Sequence, residues 1–246
     1  MENGGLRTRG ITRKSTYEKP LITVVTVVYN GESTLEQTIQ SVVNQTYSNI
    51  EYIIIDGAST DDTISIIKKY ESKIALWLSK PDHGIYDAMN KGLQIATGDF
   101  LIFMGADDLF INNDVISNFV SKIKNCDSNR VYYGNVIKVS TKEKFAIKNI
   151  CHQSIFYSKN IYKTNQYDLK YKLWADYVYN FKLFNQMEFI DIDVAYFNDE
   201  GASSRKGDLE FRKDVYYLVF KYLGIKCFFI LLAEKIKRNL NKRLKR

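Results

Sequence analysis

The hydrophobic positions of residues 20–110 alternate between two spacings. Short runs rich in β-branched residues, typical of buried strands, are followed by stretches whose apolar residues recur every three to four positions, typical of helices. The runs predict strands at 21–28, 51–55, 75–78 and 100–104, and helices at about 33–45, 61–70 and 85–96. This alternation predicts an α/β fold with a doubly wound, mainly parallel sheet and flanking helices.

The pattern loosens after residue 110 but continues. Strands are predicted near 131–139, 155–157 and 189–197, and helices near 114–124 and 175–184. We expect this part to complete the wall of a binding site. The predicted organisation is a basic flexible lead (1–19), a first half (20–110) and a second half (111–207) of one domain, and a helical, basic amphipathic tail (208–246).

The predicted helix at 85–96 has one apolar and one polar face. Ile85, Met89, Leu93 and Ala96 form the stripe expected to be buried, and Asp87, Asn90, Lys91 and Gln94 lie opposite. Asp87 and Lys91 are spaced for an ion pair of roughly 0.3–0.5 kcal/mol. Alternatively, Asp82 and Asp87 flank a bound nucleotide or donor sugar.

The composition indicates a folded protein of enzyme size. Of 246 residues, 45% are hydrophobic and 14% aromatic. The three cysteines form no Cys-x-x-Cys pair, so we expect reduced thiols and a cytoplasmic location rather than disulfides or a zinc site. The start of the chain lacks the apolar core of a signal peptide, and the longest uninterrupted apolar run, 227–233, has seven residues. Because a spanning helix needs roughly twenty, no transmembrane helix is expected.

The net charge of +7 lies entirely in the tail. Residues 235–246 contain seven Lys or Arg and no acid, which leaves 28 basic and 28 acidic residues elsewhere. A neutral body argues against a nucleic-acid-binding surface. The tail also places Phe229, Leu232, Ile236, Leu240 and Leu244 at helical spacing. This stripe, with basic residues on the other faces, favours contact with the anionic inner leaflet of a membrane over a solvated helix packed on the body.

Polar side chains follow three predicted strands at their carboxyl ends, where parallel sheets bind ligands. Asp107 and Asp108 could form a solvated turn, but their position after a buried strand favours binding of Mg²⁺ or Mn²⁺ at a diphosphate. Asp56 fits equally an Asx turn or a hydrogen bond to a base or ribose. Tyr29, beside Asn30, is either core or a ring that stacks on a nucleobase.

The second half contributes three further candidates. Asp176 lies at a predicted helix start, where it is either a charge favoured by the helix dipole or a general base. His152, followed by Gln153, either contacts acceptor hydroxyls or is a structural histidine. Neither of the two histidines in the chain has a His-x-x-x-His or Cys partner, so a transition-metal site is not expected.

Two segments resemble a known family. They are TVVTVVYNGESTLEQTIQSVVNQTYSNIEYIIIDGASTDDT and KPDHGIYDAMNKGLQIATGDFLIFMGADD, and both are similar to glycosyltransferase family 2, in the branch that builds bacterial capsule, exopolysaccharide or O-antigen sugars. The resemblance is dense over about 20–110 and thinner to about 205. It implies a GT-A fold, with 20–110 as the nucleotide-sugar-binding half and 111–207 as the acceptor-side half.

The resemblance also implies roles for matching residues. Tyr29, Asn30 and Asp56 would line the base and ribose pocket, usually for a UDP-sugar. Asp82 and Asp87 would face the donor.

The acidic residues of the later motifs match as well. Asp107 and Asp108 correspond to the family's metal-binding Asp-x-Asp region, with Asp108 as the direct ligand. Asp176 corresponds to the catalytic base of inverting members. The chain departs from the family at Ala106, where the triplet has its first Asp, and it has Lys80 and His83 where relatives often carry Glu and Lys.

Together the residues and the resemblance predict an inverting, metal-dependent glycosyltransferase acting at the inner face of the membrane. The expected partners are a nucleotide-sugar donor and a glycan or lipid-linked acceptor. One alternative is a non-catalytic nucleotide-sugar or glycan-binding module with the same fold. Another is a metal-dependent phosphotransferase or hydrolase, although the chain lacks a Gly-x-x-x-x-Gly-Lys-Ser/Thr loop.

Overall fold

The strands and helices follow the alternation of the chain. A computed structural model describes residues 2–123, 127–145, 151–197 and 207–244. The strands are β1 (Glu2–Gly4), β2 (Ile22–Val28), β3 (Ile50–Asp56), β4 (Leu76–Ser79), β5 (Phe100–Phe103), β6 (Leu109–Phe110), β7 (Val131–Lys138), β8 (Lys144–Phe145), β9 (Ile155–Ser158) and β10 (Met187–Phe197). The helices are α1 (Leu35–Val43), α2 (Thr63–Lys69), α3 (Ile85–Ile95), α4 (Val115–Lys122), α5 (Lys159–Thr164), α6 (Ala175–Leu183) and α7 (Leu209–Leu244).

Four neighbouring strands in the order β4-β3-β2-β5 pair in parallel and form the centre of the first half. Successive strand residues serve opposite faces: Val24 and Ile54 belong to one apolar core, and Val25 and Ile53 belong to the other. Helices α1, α2 and α4 cover the first face, and α3, α6 and α7 cover the second. Because both faces are buried, the strands are almost continuously apolar. The predicted α/β fold with flanking helices is confirmed.

The second half adds antiparallel pairs to the parallel centre, so the sheet is mixed. Strand β9 pairs antiparallel with both β5 and β7, β10 is parallel to β7, and β6 and β8 add further antiparallel pairs. Strands β6 and β8 and helix α5 were not predicted, because two to six residues are too few to show a period. The β5–β9 pairing carries one sheet through both halves. The sheet therefore does not divide near residue 110, and the assignment of the two halves to the donor and the acceptor stays a prediction.

The first residues of the predicted flexible lead pack on the body, whereas residues 11–19 are exposed. Strand β1 pairs antiparallel with β4 and extends the sheet edge. The Arg7 guanidinium lies 3.2 Å from the Glu51 carboxylate and also donates to the carbonyl oxygen of Ile95 at 2.9 Å. The Glu51 carboxylate is buried and also accepts hydrogen bonds from Thr23 and Thr97. Strand β1 could not be predicted, because three residues that include a glycine show no strand pattern in the sequence.

Helix α3 differs from its predicted face at two positions. Met89 is fully buried as predicted, but Ile85 is 47% exposed. Asn90, predicted on the polar face, is buried, where its side-chain amide donates to the carbonyl oxygen of Tyr167 at 3.0 Å and accepts from the Tyr167 N–H at 2.8 Å. Since both bonds satisfy the amide, a polar side chain can occupy this core position.

The predicted C-terminal helix is present as α7 and is interrupted at Gly224. The φ of 84° and ψ of 173° at Gly224 fall in a region accessible essentially to glycine. By length and composition, Leu209–Ala233 is long and apolar enough to cross a membrane, with a mean hydropathy of 1.7 over an 18-residue window. This window average differs from the longest uninterrupted apolar run of seven residues, on which the expectation of no transmembrane helix rested. The isolated charged residues that interrupt the apolar run lower the mean hydropathy of the window only slightly.

Candidate active site

A cavity of about 520 Å³ lies where the carboxyl ends of β2 and β5 meet the second half of the chain. Parallel strands end at one edge of a sheet, so residues distant in sequence converge there. Seven of the ten predicted site residues line this cavity: Tyr29, Asn30, Asp107, Asp108, His152, Gln153 and Asp176.

The Asp107–Asp108 pair follows β5 in a tight turn. The Asp108 N–H donates to the carbonyl oxygen of Gly105 at 3.2 Å, and the Thr38 hydroxyl donates to the carbonyl oxygen of Asp108 at 2.9 Å. The side-chain amide of Gln153 donates to Oδ2 of Asp108 at 2.8 Å. Asp108 is buried, whereas Asp107 is exposed. The turn therefore presents one fixed and one solvent-facing carboxylate to the cavity.

Gln153 brings a third oxygen-bearing side chain to this corner. Its Oε1 is buried and has no hydrogen-bond partner among the described residues. In the described part of the chain, no group of three or more His, Cys, Asp or Glu side chains could hold a metal ion alone. Mg²⁺ commonly takes one or two protein carboxylates and completes its shell with phosphate oxygens and water. The residues present thus fit a cation shared with a diphosphate.

Asp176 lines the same cavity at the start of α6. The Tyr86 hydroxyl donates to Oδ1 of Asp176 at 2.9 Å and also lies 2.8 Å from the carbonyl oxygen of Leu173. The Tyr177 N–H donates to the same Oδ1 at 3.0 Å. The other carboxylate oxygen, Oδ2, lies 3.4 Å from Nδ1 of His152. The carboxylate is therefore fixed through Oδ1 and faces His152 through Oδ2.

Two neighbours of Asp176 have shifted pKa values. Burial lowers the pKa of His152, but the hydrogen bond and charge of Asp176, with the charges of Asp108 and Asp107, outweigh burial and raise it above the ordinary value. Burial, reinforced by the charge of Asp176, raises the pKa of Tyr86 well above its ordinary value. Tyr86 therefore stays a neutral hydrogen-bond donor at working pH.

Tyr29 and Asn30 form the opposite rim, at the end of β2. Tyr29 is 63% exposed, so the alternative that it belongs to the core does not hold. Asn30 has a left-handed φ of 50°, which asparagine tolerates better than most residues. Its N–H donates to the hydroxyl of Ser59 at 2.7 Å, and its Oδ1 accepts the N–H of Thr60 at 2.9 Å. These bonds join the loops after β2 and β3.

Asp56 and Asp87 lie outside the cavity lining. The Asp56 carboxylate is fully buried and accepts from the N–H of Ser59, three residues on, at 3.0 Å and from the hydroxyl of Ser79 at 2.6 Å, so it stabilises the turn after β3 although the bond is not that of an Asx turn. The Asp87 carboxylate lies 3.2 Å from the Lys91 ammonium, so the predicted ion pair is present.

Asp82 also lies outside the lining but close to the Tyr29 rim. A Cβ atom added at Gly57 would lie 2.7 Å from Oδ2 of Asp82 and 3.3 Å from the Tyr29 ring. The other oxygen, Oδ1, accepts the N–H of Gly84 at 2.9 Å. The glycine thus lets the ring and this carboxylate approach each other.

Sequence reasoning missed Tyr86 and the contact between His152 and Asp176. Tyr86 is buried on α3, and a buried aromatic ring on an amphipathic helix is ordinary core by pattern. Ile85, Met89, Leu173 and Phe197 also line the cavity and were not predicted as site residues. Spacing carries no signal for any of these, since the cavity forms only when α3 and α6 pack together.

Solved structures share this fold. A fragment of TarS from Staphylococcus aureus in complex with UDP superimposes with a TM-score of 0.65 over 81% of this chain and 64% of that one, at 17% identity. The mannosyltransferase PcManGT from Pyrobaculum calidifontis, in complex with GDP-Man and Mn²⁺, gives a TM-score of 0.56 over 76% of this chain and 61% of that one, at 16% identity. The likeness shows that this chain has the GT-A fold of these neighbours.

Sequence relatives agree with this fold. The model of Glycosyl transferase family 2 matches residues 23–192. A PGL/p-HBAD biosynthesis glycosyltransferase of Mycobacterium bovis is 30% identical over 213 residues, which cover 79% of this chain and 83% of that protein. An uncharacterized glycosyltransferase of Haemophilus influenzae is 43% identical over 98 residues, 39% of each chain. The chain belongs to glycosyltransferase family 2, which confirms the predicted family and enzyme class.

Proposed function

We propose that this enzyme is an inverting, metal-dependent glycosyltransferase. It would move a sugar from a nucleotide sugar, for which we propose a UDP-sugar, to a hydroxyl group of a glycan or lipid-linked acceptor. The reaction would belong to cell-surface polysaccharide synthesis. The observation that carries the proposal is that one cavity holds two separately anchored acidic groups. Asp108, beside Asp107, accepts a hydrogen bond from Gln153, whereas Asp176 is anchored by Tyr86 and faces His152. A diphosphate at Asp107 and Asp108, the diphosphate end, and an attacking hydroxyl at Asp176 can therefore share one site.

The diphosphate end would be held by Asp107 and Asp108, with the unpartnered oxygen of Gln153 beside them. A Mg²⁺ or Mn²⁺ ion bound there would neutralise charge on the leaving nucleoside diphosphate. The bond from Gln153 to Asp108 fixes the buried carboxylate before any ligand arrives. Such a fixed ligand loses little conformational entropy on binding.

Asp176 would be the general base. An acceptor hydroxyl attacks the anomeric carbon, the bond from that carbon to the diphosphate oxygen breaks, and nucleoside diphosphate leaves with the electron pair. The hydroxyl proton passes to Asp176 through Oδ2, because Oδ1 already accepts hydrogen bonds from Tyr86 and the Tyr177 N–H. One displacement inverts the anomeric centre, and no covalent intermediate is required. His152, whose Nδ1 lies 3.4 Å from Asp176, would contact the acceptor, whereas Gln153, predicted as a second acceptor contact, directs its amide to Asp108 and is proposed for the diphosphate end instead.

The nucleotide would lie on the rim formed by the ends of β2 and β3. The exposed Tyr29 ring offers a stacking surface, and Asn30 would contact the base or ribose. Asp82, close to Tyr29, would contact the donor. Asp56 and Asp87 would reach the donor only after exchanging their present partners, Ser79 and Lys91. The donor classes bound by structural neighbours include UDP-GlcNAc and GDP-Man.

The decisive experiment is the Asp176→Asn variant in a transfer assay. We expect kcat to fall by roughly 10²–10⁴-fold, the usual contribution of a general base, while UDP binding measured by calorimetry stays within error. The matched control is Asp168→Asn, which removes an exposed carboxylate from the loop before α6 and should leave kcat unchanged. Unchanged turnover in Asp176→Asn would remove this residue from the mechanism.

A thermal-shift panel of UDP, GDP, dTDP and CMP, each with and without Mn²⁺, tests the donor and the metal together. We expect the largest shift for UDP with Mn²⁺, and we expect Asp108→Asn to lose the part that depends on Mn²⁺. Binding of UDP without transfer to any acceptor would favour a non-catalytic module. Release of inorganic phosphate from a nucleotide would favour a hydrolase.

A further inference from the structure

We propose that helix α7 docks on an anionic lipid bilayer through an exposed aromatic face, independently of the transfer reaction. We call this surface the docking face; it surrounds an apolar groove of about 330 Å³ and consists of Tyr216, Tyr217, Phe220, Ile225, Phe228 and Phe229. Tyr217, Phe220, Ile225 and Phe229 are each more than half exposed. A contiguous apolar patch of this kind on a soluble surface marks an interaction site.

The opposite side of α7 is anchored in the protein. Phe211, Leu218 and Val219 are buried in the apolar core that α7 shares with α3 and α6. Asp208, just before the helix, accepts the backbone N–H groups of Leu173 and Phe211 at 2.9 and 3.1 Å. Because one side is fixed in this way, the docking face points away from the core.

The interruption at Gly224 builds the groove. Residues on both sides of the interruption contribute rings, and the ring centroids of Phe220 and Phe228 lie 5.9 Å apart in an edge-on arrangement. Tyr216 contacts the Phe228 ring in the same way at 6.3 Å. A Cβ atom at Gly224 would meet nothing within 4 Å, so the glycine serves the backbone conformation and not a close contact.

Charge identifies the partner as an anionic membrane. Lys221 and Lys226 are exposed beside the groove, and the Lys221 ammonium lies 5.5 Å from the centroid of the Tyr217 ring. In the sequence beyond the groove, residues 235–246 contain seven basic residues and no acid. Each basic residue near an anionic membrane surface adds electrostatic attraction. A second copy of the chain would bring two such basic segments together, which electrostatic repulsion opposes.

The helix would lie in the plane of the membrane and not cross it. The helical segment before Gly224 ends at Leu223, well short of the roughly twenty apolar residues that a span requires. One side of that segment is already buried against the protein. Aromatic rings combined with basic side chains are typical of helices that lie at the level of the lipid headgroups.

The test is cosedimentation of the purified full-length chain with lipid vesicles. We expect binding to vesicles that contain phosphatidylglycerol and little binding to vesicles of phosphatidylcholine alone. The double variant Phe220→Ser/Phe229→Ser should bind roughly 10–100-fold more weakly, since two rings no longer insert. The matched control, Ile11→Ser/Tyr17→Ser, removes two exposed apolar side chains from the lead and should bind like the unmodified chain.

A second measurement separates insertion of the docking face from attraction by the basic tail alone. Phe229→Trp places a fluorophore on the docking face, and vesicles of brominated lipid should quench its added emission. Absence of quenching, or equal vesicle binding by the double serine variant, would overturn the proposal. So would a concentration-dependent dimer, formed without lipid, that the same double variant abolishes. Loss of transfer activity would leave vesicle binding unchanged, so the two proposals fail separately.

Discussion

Tyr86→Phe removes one hydroxyl group from the site and nothing else. Tyr86 is 5% exposed and Asp176 is 7% exposed, so water cannot readily replace the lost donor at Oδ1 of the carboxylate. The substitution also leaves the carbonyl oxygen of Leu173 without its contact at 2.8 Å. We therefore classify Tyr86 as a positioning residue that acts through Asp176, and we expect its loss to change both stability and turnover.

The magnitude follows from the bonds that remain. A hydrogen bond to a charged group contributes about 1.5–3 kcal/mol. Because the Tyr177 N–H still donates to the same oxygen at 3.0 Å, we expect the lower end of that range. About 1.5 kcal/mol corresponds to roughly a tenfold fall in kcat. In stability, the same figure lowers Tm by about 3–6 °C for a domain of this size.

The assay is steady-state transfer with the donor varied, together with a melting curve. We expect kcat to fall while the KM for the donor stays within twofold, because Tyr86 contacts Asp176, the proposed base, and not Asp107 or Asp108, the proposed diphosphate ligands. The matched control is Tyr179→Phe on α6, whose buried hydroxyl has no hydrogen-bond partner among the described residues. It should leave kcat unchanged and should not lower Tm. A Tyr86→Phe enzyme with unaltered kcat, or one changed only in donor KM, would refute the positioning role.

Two other variants test which buried charges stabilise the folded chain. Arg7→Ala leaves the buried Glu51 carboxylate without its cation, so we expect a loss of about 1–3 kcal/mol in denaturant unfolding, and none for the exposed Arg9→Ala. Burial raises the pKa of Asp208, but backbone N–H donors outweigh burial and lower it below its ordinary value of 3.8. Its stabilising contribution is therefore complete above that value and is lost as the pH falls through the folded pKa. Asp208→Asn should unfold more easily at neutral pH and lose less stability than the unmodified chain on acidification; parallel acid titrations of the two would contradict this.

Periodicity predicted the parallel half of the fold because its strands and helices are long enough to repeat. It also placed Tyr29, Asn30, Asp107 and Asp108 correctly at the cavity, since parallel strands share a carboxyl edge. Periodicity could not predict the antiparallel pairing of the second half, because strand partners are chosen by tertiary packing. Asp56 shows the same limit at the level of one side chain. Its position at a strand end was correct, but local hydroxyl groups satisfy its carboxylate.

The change from parallel to antiparallel pairing is what assembles the two ends of the site. Strand β9 runs antiparallel to β5, with Leu101 opposite Tyr157, so the start of β9 lies beside the end of β5. The turn containing His152 and Gln153 comes directly before β9 and is thereby brought to the residues that follow β5. From that turn Gln153 reaches Asp108, while its neighbour reaches Asp176. A parallel β9 would have placed these two side chains at the opposite edge of the sheet, so the reversed strand couples the diphosphate end to the proposed base.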